Sequence, residues 1–212
     1  MGPPFDPSTT ATRRFGRFEL RALLGRSALC MAWRAHDPRS AQDLVLVLPR
    51  RQPAGAAALA EALDEARRAA RLQHPHLAHA VEVGEQERWP YIAYDTAGPT
   101  LAERKPATNG EALVAARCVA DCATALAFAH DGGHAHNDLQ PWLISVGDSG
   151  TARLMGLGLL PALLARAADG ESAEQRLRRG AREAAENDVL ALAIVLHGLL
   201  AGAPALGEPD IG

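Results

Sequence analysis

Apolar residues in the first half of the chain come in short runs rather than at helical spacing. Phe18 to Leu24 and Leu29 to His36 predict two strands joined by a glycine-containing turn. The run Leu44-Val45-Leu46-Val47-Leu48, ended by Pro49, predicts a strand buried on both faces. Ala56 to Leu72 then shows dense alanine with spaced charges, a helix that His74-Pro75 closes. Ala80 to Glu85 and Trp89 to Asp95 predict two further strands, so the first half reads as a small sheet with one helix. From Thr100 the spacing becomes helical. Glu111 to His130 predicts a long helix, and Leu143 to Val146 with Ala152 to Met155 a hairpin around Gly147-Asp148-Ser149-Gly150. Pro161 to Ala185 is mixed and charged. Asp188 to Leu200 predicts a helix apolar nearly all round, hence buried, with Asn187 or Asp188 as its N-cap. The polar, proline-containing start, Met1 to Thr12, predicts disorder.

Composition changes this picture little and excludes some functions. A chain of 212 residues holds one sizeable core, or a small lobe and a larger one. A net charge of -3 gives no footprint for nucleic acid or anionic lipid. Val189 to Leu200, the longest apolar stretch, is short for a bilayer and is interrupted by His197 and Gly198. With no signal peptide in view, a cytoplasmic protein without a membrane span is expected. Three cysteines argue against a disulfide framework. Cys118 and Cys122 share a helical face that a metal could use, but no further ligands follow at zinc spacing, so they read as small buried hydrophobes. The basic residues are almost all arginine, and Lys105 is the only lysine.

An ordered series of motifs narrows the fold. Phe18-Glu19-Leu20 to Leu24-Gly25-Arg26, then Ala35-His36-Asp37-Pro38-Arg39, resembles the opening of bacterial serine/threonine protein kinases. Asp64-Glu65-Ala66-Arg67 with Leu72-Gln73-His74-Pro75-His76-Leu77 is similar to that family's αC helix and following loop, and Pro90 to Asp95 to the strand entering the hinge. His136-Asn137-Asp138-Leu139-Gln140-Pro141 resembles the catalytic loop, Leu154 to Leu159 stands at the DFG position, and Asn187 to Leu192 resembles the start of αF. The resemblance implies an α+β, bilobal protein-kinase-like fold. It has a tail over 1–14, an antiparallel sheet lobe with one αC-type helix over 15–96, and a mainly helical second lobe over 97–212 that stops after αF.

The same resemblance shows what has been replaced. Kinase catalysis is mostly positioning and charge neutralisation about the γ-phosphate. Of the Gly-rich loop, Gly25 remains while Ser27 and Cys30 stand at the other glycines, placing side chains where phosphate would lie. Val47 stands at the phosphate-binding lysine, and Arg50 and Arg51, two strand positions out of register past Pro49, are the nearest cations. Glu65 loses its usual partner and either faces solvent or pairs with a nearby arginine. Gly156 replaces the DFG aspartate and Leu143 the metal-binding asparagine, neither with the hard oxygen magnesium requires. Gln140 follows Asp138 where a lysine is usual, Asn137 precedes it where an arginine is usual, and Val45 and Tyr94 add bulk to the adenine site. Asp138 itself remains, expected to hold the loop by hydrogen bonding rather than to act as a base. Ser172-Ala173-Glu174-Gln175 resembles the family's Ala-Pro-Glu stretch without its proline.

Losing a lysine and two metal ligands costs about 6–9 kcal/mol in the barrier. The expectation is therefore a pseudokinase, a regulatory or scaffolding module that binds another protein or another domain of the same polypeptide. It leaves at most weak ATP binding and no magnesium. The alternatives are a weak or unconventional serine/threonine kinase using Asp138 and an arginine, and an unrelated helical binding domain. The apolar Asp188–Leu200 helix is expected to be covered by further chain, in preference to a partner or a second copy.

Overall fold

The computed structural model describes residues 13–95, 98–104, 112–160 and 172–201; the start expected to be disordered lies outside them. The sheet runs β1 (Arg13–Phe15), β2 (Phe18–Arg26), β3 (Cys30–Asp37), β4 (Gln42–Pro49), β5 (Ala80–Gln86) and β6 (Trp89–Asp95). Its order is β1-β2-β3-β4-β6-β5, with every pairing antiparallel. β1 was not predicted, and it corrects the tail boundary, since Arg13 and Arg14 pair with Leu20 and Glu19. Three residues are too few to show a period, and what holds them is tertiary: the Phe15 ring meets Tyr91 edge-on at 5.6 Å.

β4 accounts for the unbroken apolar run. Leu44, Leu46 and Leu48 pack with Phe18, Ala35 and Tyr91 on one face, while Val45 and Val47 pack with Cys30, Ala32 and Tyr94 on the other. A strand buried on both faces has no polar alternation to show. The helix α1 (Ala56–Ala69) sends Ala66 to this second face.

The second lobe consists of α2 (Ala112–Asp131), the hairpin β7 (Ile144–Val146) and β8 (Ala152–Leu154), and α3 (Ala173–Ala201). Cys118, Cys122 and Leu126 of α2 pack on the hairpin and on Leu192 and Val195 of α3. Burial pushes the Cys122 thiol up to about 12, so it behaves as a hydrophobe. No group of three metal-ligating side chains occurs among the described residues. By length and composition alone, α2 and Arg178–Ala201 of α3 pass for membrane spans, both longer than the stretch judged too short from the sequence. Here they pack on one another.

α3 corrects three expectations. It starts at Ala173, well before Asp188, within the segment that showed no pattern. Ser172 begins it: its Oγ accepts the Gln175 N–H at 3.2 Å, and Gln175 Oε1 accepts the Ser172 N–H at 2.9 Å, a reciprocal capping box. Arg179–Glu183 and Arg182–Glu186 pairs line the exposed turns that follow. Asn187 and Asp188 are thus mid-helix and cap nothing in α3. Nor is the helix buried all round. Ala184, Asp188, Leu192 and Val195 face inward, whereas Val189 and Leu190 are 62% and 61% exposed.

Candidate functional site in the cleft between the lobes

The position that the resemblance assigns to a lysine lies at the centre of hydrocarbon. Val47 pairs across the sheet with Ala32 and Ile92, and Val45 with Tyr94. Val45, Val47, Cys30, Ala32 and Tyr94 of the sheet lobe form one packed cluster with Trp142, Leu143 and Met155 of the second lobe. Among the described residues, one core cluster thus spans both lobes at this position. Arg50, the nearest cation by sequence, is exposed, and its guanidinium donates to the Ser27 carbonyl at 3.0 Å.

Trp142 was not singled out from the sequence. It follows Pro141 in a single 3₁₀ turn (Pro141–Leu143), which drives the ring upward beneath β2, and it is 7% exposed. A Cβ built on Gly25 would overlap the indole. In a chain with 4% aromatic residues, a tryptophan beside the catalytic-loop motif was the available signal.

Both oxygens of Asp138 are engaged. Ser27 Oγ donates to Oδ2, the Cys30 thiol donates to the same oxygen at 3.0 Å, and Gln140 Nε2 donates to Oδ1 at 3.1 Å. The Ser27 hydroxyl oxygen also accepts the N–H groups of Leu29 and Cys30 at 2.9 and 3.0 Å, which fixes the β2–β3 turn over the aspartate. Burial, and then the charge of Asp138, push the Cys30 thiol far up, so it stays protonated and a donor. The structure thus brings together Ser27, Cys30, Asp138 and Gln140 in one latch between the lobes, with Gly25 against Trp142.

Glu65 lies apart from this group. Its carboxylate takes a hydrogen bond from Arg68 at 2.6 Å and pairs with His134 Nδ1 at 2.6 Å, away from Val47. Burial raises its pKa, but Arg68 and His134 outweigh that and hold it below the ordinary value. An arginine partner was one of the two sequence readings; His134, 69 residues away, had no local signal.

Gly156 adopts φ +95°, a region that side-chain-bearing residues rarely occupy, and its N–H donates to the Tyr94 hydroxyl at 2.9 Å. Leu143 is fully buried. Where the resemblance puts two metal ligands there is a backbone-only residue and a hydrocarbon. Tyr94 is held neutral by burial, which moves its phenol strongly upward.

The loop carrying Asp138 is held from below by Asp188, 1% exposed. Its carboxylate accepts the His136 and Asn137 N–H groups at 2.7 and 2.8 Å and pairs with His130 Nε2 at 2.9 Å. His136 Nε2 donates to the Met155 carbonyl at 2.8 Å. Outside the latch, Arg34 of β3 reaches Glu103 beyond the hinge at 2.8 Å, and Glu103 also takes the Thr100 N–H at 2.7 Å.

No family model matches the chain. Individual proteins do. It is 28% identical to the serine/threonine-protein kinase PknB of Mycobacterium tuberculosis, over 92% of this chain and 34% of that protein. It is 27% identical to the probable serine/threonine-protein kinase PknB of Lactococcus lactis, over 88% and 32%. It is 30% identical to the DNA damage-responsive serine/threonine-protein kinase RqkA of Deinococcus radiodurans, over 73% and 24%. The chain spans about a quarter to a third of the length of these curated relatives. In sequence and in fold, an antiparallel sheet lobe joined to a helical lobe with Asp138 between them, this is a protein-kinase-like domain homologous to bacterial serine/threonine kinases.

Proposed function

We propose that this domain binds rather than phosphorylates: a kinase-like regulatory or scaffolding module whose ligand is another protein or another domain of the same polypeptide. The observation that carries the reading is the state of Asp138. A base must present a lone pair to a substrate hydroxyl within hydrogen-bond reach, and here Ser27 and Cys30 take both acceptor positions of Oδ2 while Gln140 takes one of Oδ1. The residues around it do not fit Mg·ATP. Magnesium needs oxygen donors, which Gly156 and Leu143 lack, and the triphosphate needs a cation, which Val47 does not supply. A phosphate approaching the Gly25 backbone would also have to displace the packed ring of Trp142.

A weak kinase is the competing reading, favoured by the retained Asp138 and by the kinases among its relatives. The test is calorimetric titration of the chain with ATP, with and without magnesium, beside a radiolabelled transfer assay. The expected result is no binding tighter than roughly 1 mM and no transfer above that of Asp138→Asn. Magnesium-dependent micromolar binding, or transfer that disappears in Asp138→Asn, would return the domain to the enzymes.

A further inference from the structure

We propose that Trp142 is a ligand the chain carries for itself: its indole fills a closed site for one flat, uncharged heteroaromatic group beneath the β2–β3 turn. This rests on the non-catalytic reading above and adds to it the residue that keeps the cleft shut.

Gly25 is the first observation. Its backbone is not in the left-handed region, so a larger residue would suit its conformation. What forbids one is space, because a Cβ there would run into three atoms of the Trp142 ring. A glycine of this kind is normally explained by the approach of phosphate to the backbone. Here the thing approaching is an indole.

The surroundings are the second observation. The ring shares a buried cluster with Cys30, Val45, Val47 and Leu143, apolar walls that suit a flat hydrocarbon face and offer a triphosphate nothing. The third is closure. Ser27 and Cys30 fasten the turn to Asp138 beside the ring, so the site is roofed by Gly25 and latched at its mouth. Roof and latch share the stretch from Gly25 to Cys30, and occupant and latch partner share the stretch from Asp138 to Leu143, so the two stretches meet at the ring and again at the aspartate.

Removing the occupant tests this. In Trp142→Gly the melting temperature should fall by roughly 10 °C. Indole added at ten times its dissociation constant should restore about 4 °C, since apolar cavities of this kind take up matching aromatic molecules. Indole should leave the unaltered chain unmoved, and Mg·ATP should move neither. Indole that shifts neither protein, or shifts both equally, overturns the proposal.

Should Trp142→Gly fail to fold, Gly25→Ala decides the matter. It should lower the melting temperature in the unaltered chain and cost little more in a Trp142→Ala background. Equal losses in the two backgrounds would show that Gly25 is not the socket of this ring. The two readings fail separately: Mg·ATP binding by the unaltered chain removes the non-catalytic reading, whereas a chain that ignores ATP and an indole-blind Trp142→Gly remove only this one.

Discussion

Val47 is fully buried: Ala32 and Ile92 flank it in the sheet, and it belongs to a cluster that includes Trp142 and Met155. The position that the resemblance gives to a lysine is thus embedded in packed side chains. Val47→Lys would place an ammonium there while Glu65 remains engaged with Arg68 and His134. The expected outcome is a loss of roughly 3–5 kcal/mol of stability, the cost of an unpaired buried charge, with no gain in Mg·ATP affinity. Urea denaturation and calorimetry on the variant check both halves. A stable Val47→Lys protein that binds nucleotide would mean that the apolar packing is incidental.

At the scale of elements, α3 shows how one helix serves two environments. Its inward stripe, Asp188, Leu192 and Val195, holds the loop of Asp138 and closes the core of the second lobe. Its outward stripe carries Val189, Leu190, Ile194 and Leu200, all exposed. A sequence apolar on both stripes reads as buried throughout, because periodicity reports which residues are apolar and not which side meets a neighbour. Substitutions separate the stripes. Val189→Ser with Leu190→Ser should change stability by no more than about 0.5 kcal/mol each, while Leu192→Ala should cost roughly 2–5 kcal/mol. Comparable losses on both stripes, measured by urea denaturation, would contradict this orientation.

Across the whole molecule, the lobes are joined by more than the hinge. One hydrophobic cluster spans them. Ser27 and Cys30 reach Asp138, Arg34 reaches Glu103, Glu65 reaches His134, and the Ala78 N–H donates to the Leu154 carbonyl at 2.9 Å. Opening the cleft would expose that cluster to water and break the latch at once. The two lobes should therefore unfold together. Far-ultraviolet circular dichroism, dominated by the helices, and near-ultraviolet signals from Trp33 and Trp89 of the sheet, read in a Trp142→Phe background, should give superimposable transitions in denaturant. Two separated transitions would show that the lobes are independent.

The sequence by itself determined the element series from β2 to the hairpin, the absence of a lysine before Lys105, and the lack of a side-chain oxygen at Gly156 and Leu143. These are properties of short stretches: a run, a period, a residue type at a motif position. Only the tertiary structure decided that Ser27 and Cys30 meet Asp138, 111 and 108 residues away, that Gly25 makes room for Trp142, and that Val189 and Leu190 of α3 are exposed while Leu192 and Val195 are buried. Local pattern records how much a residue prefers to leave water, and that preference is the same whatever it is buried against. The identity of the neighbour is set by how distant segments close on one another, and in this protein that closure joins side chains of both lobes in one cluster.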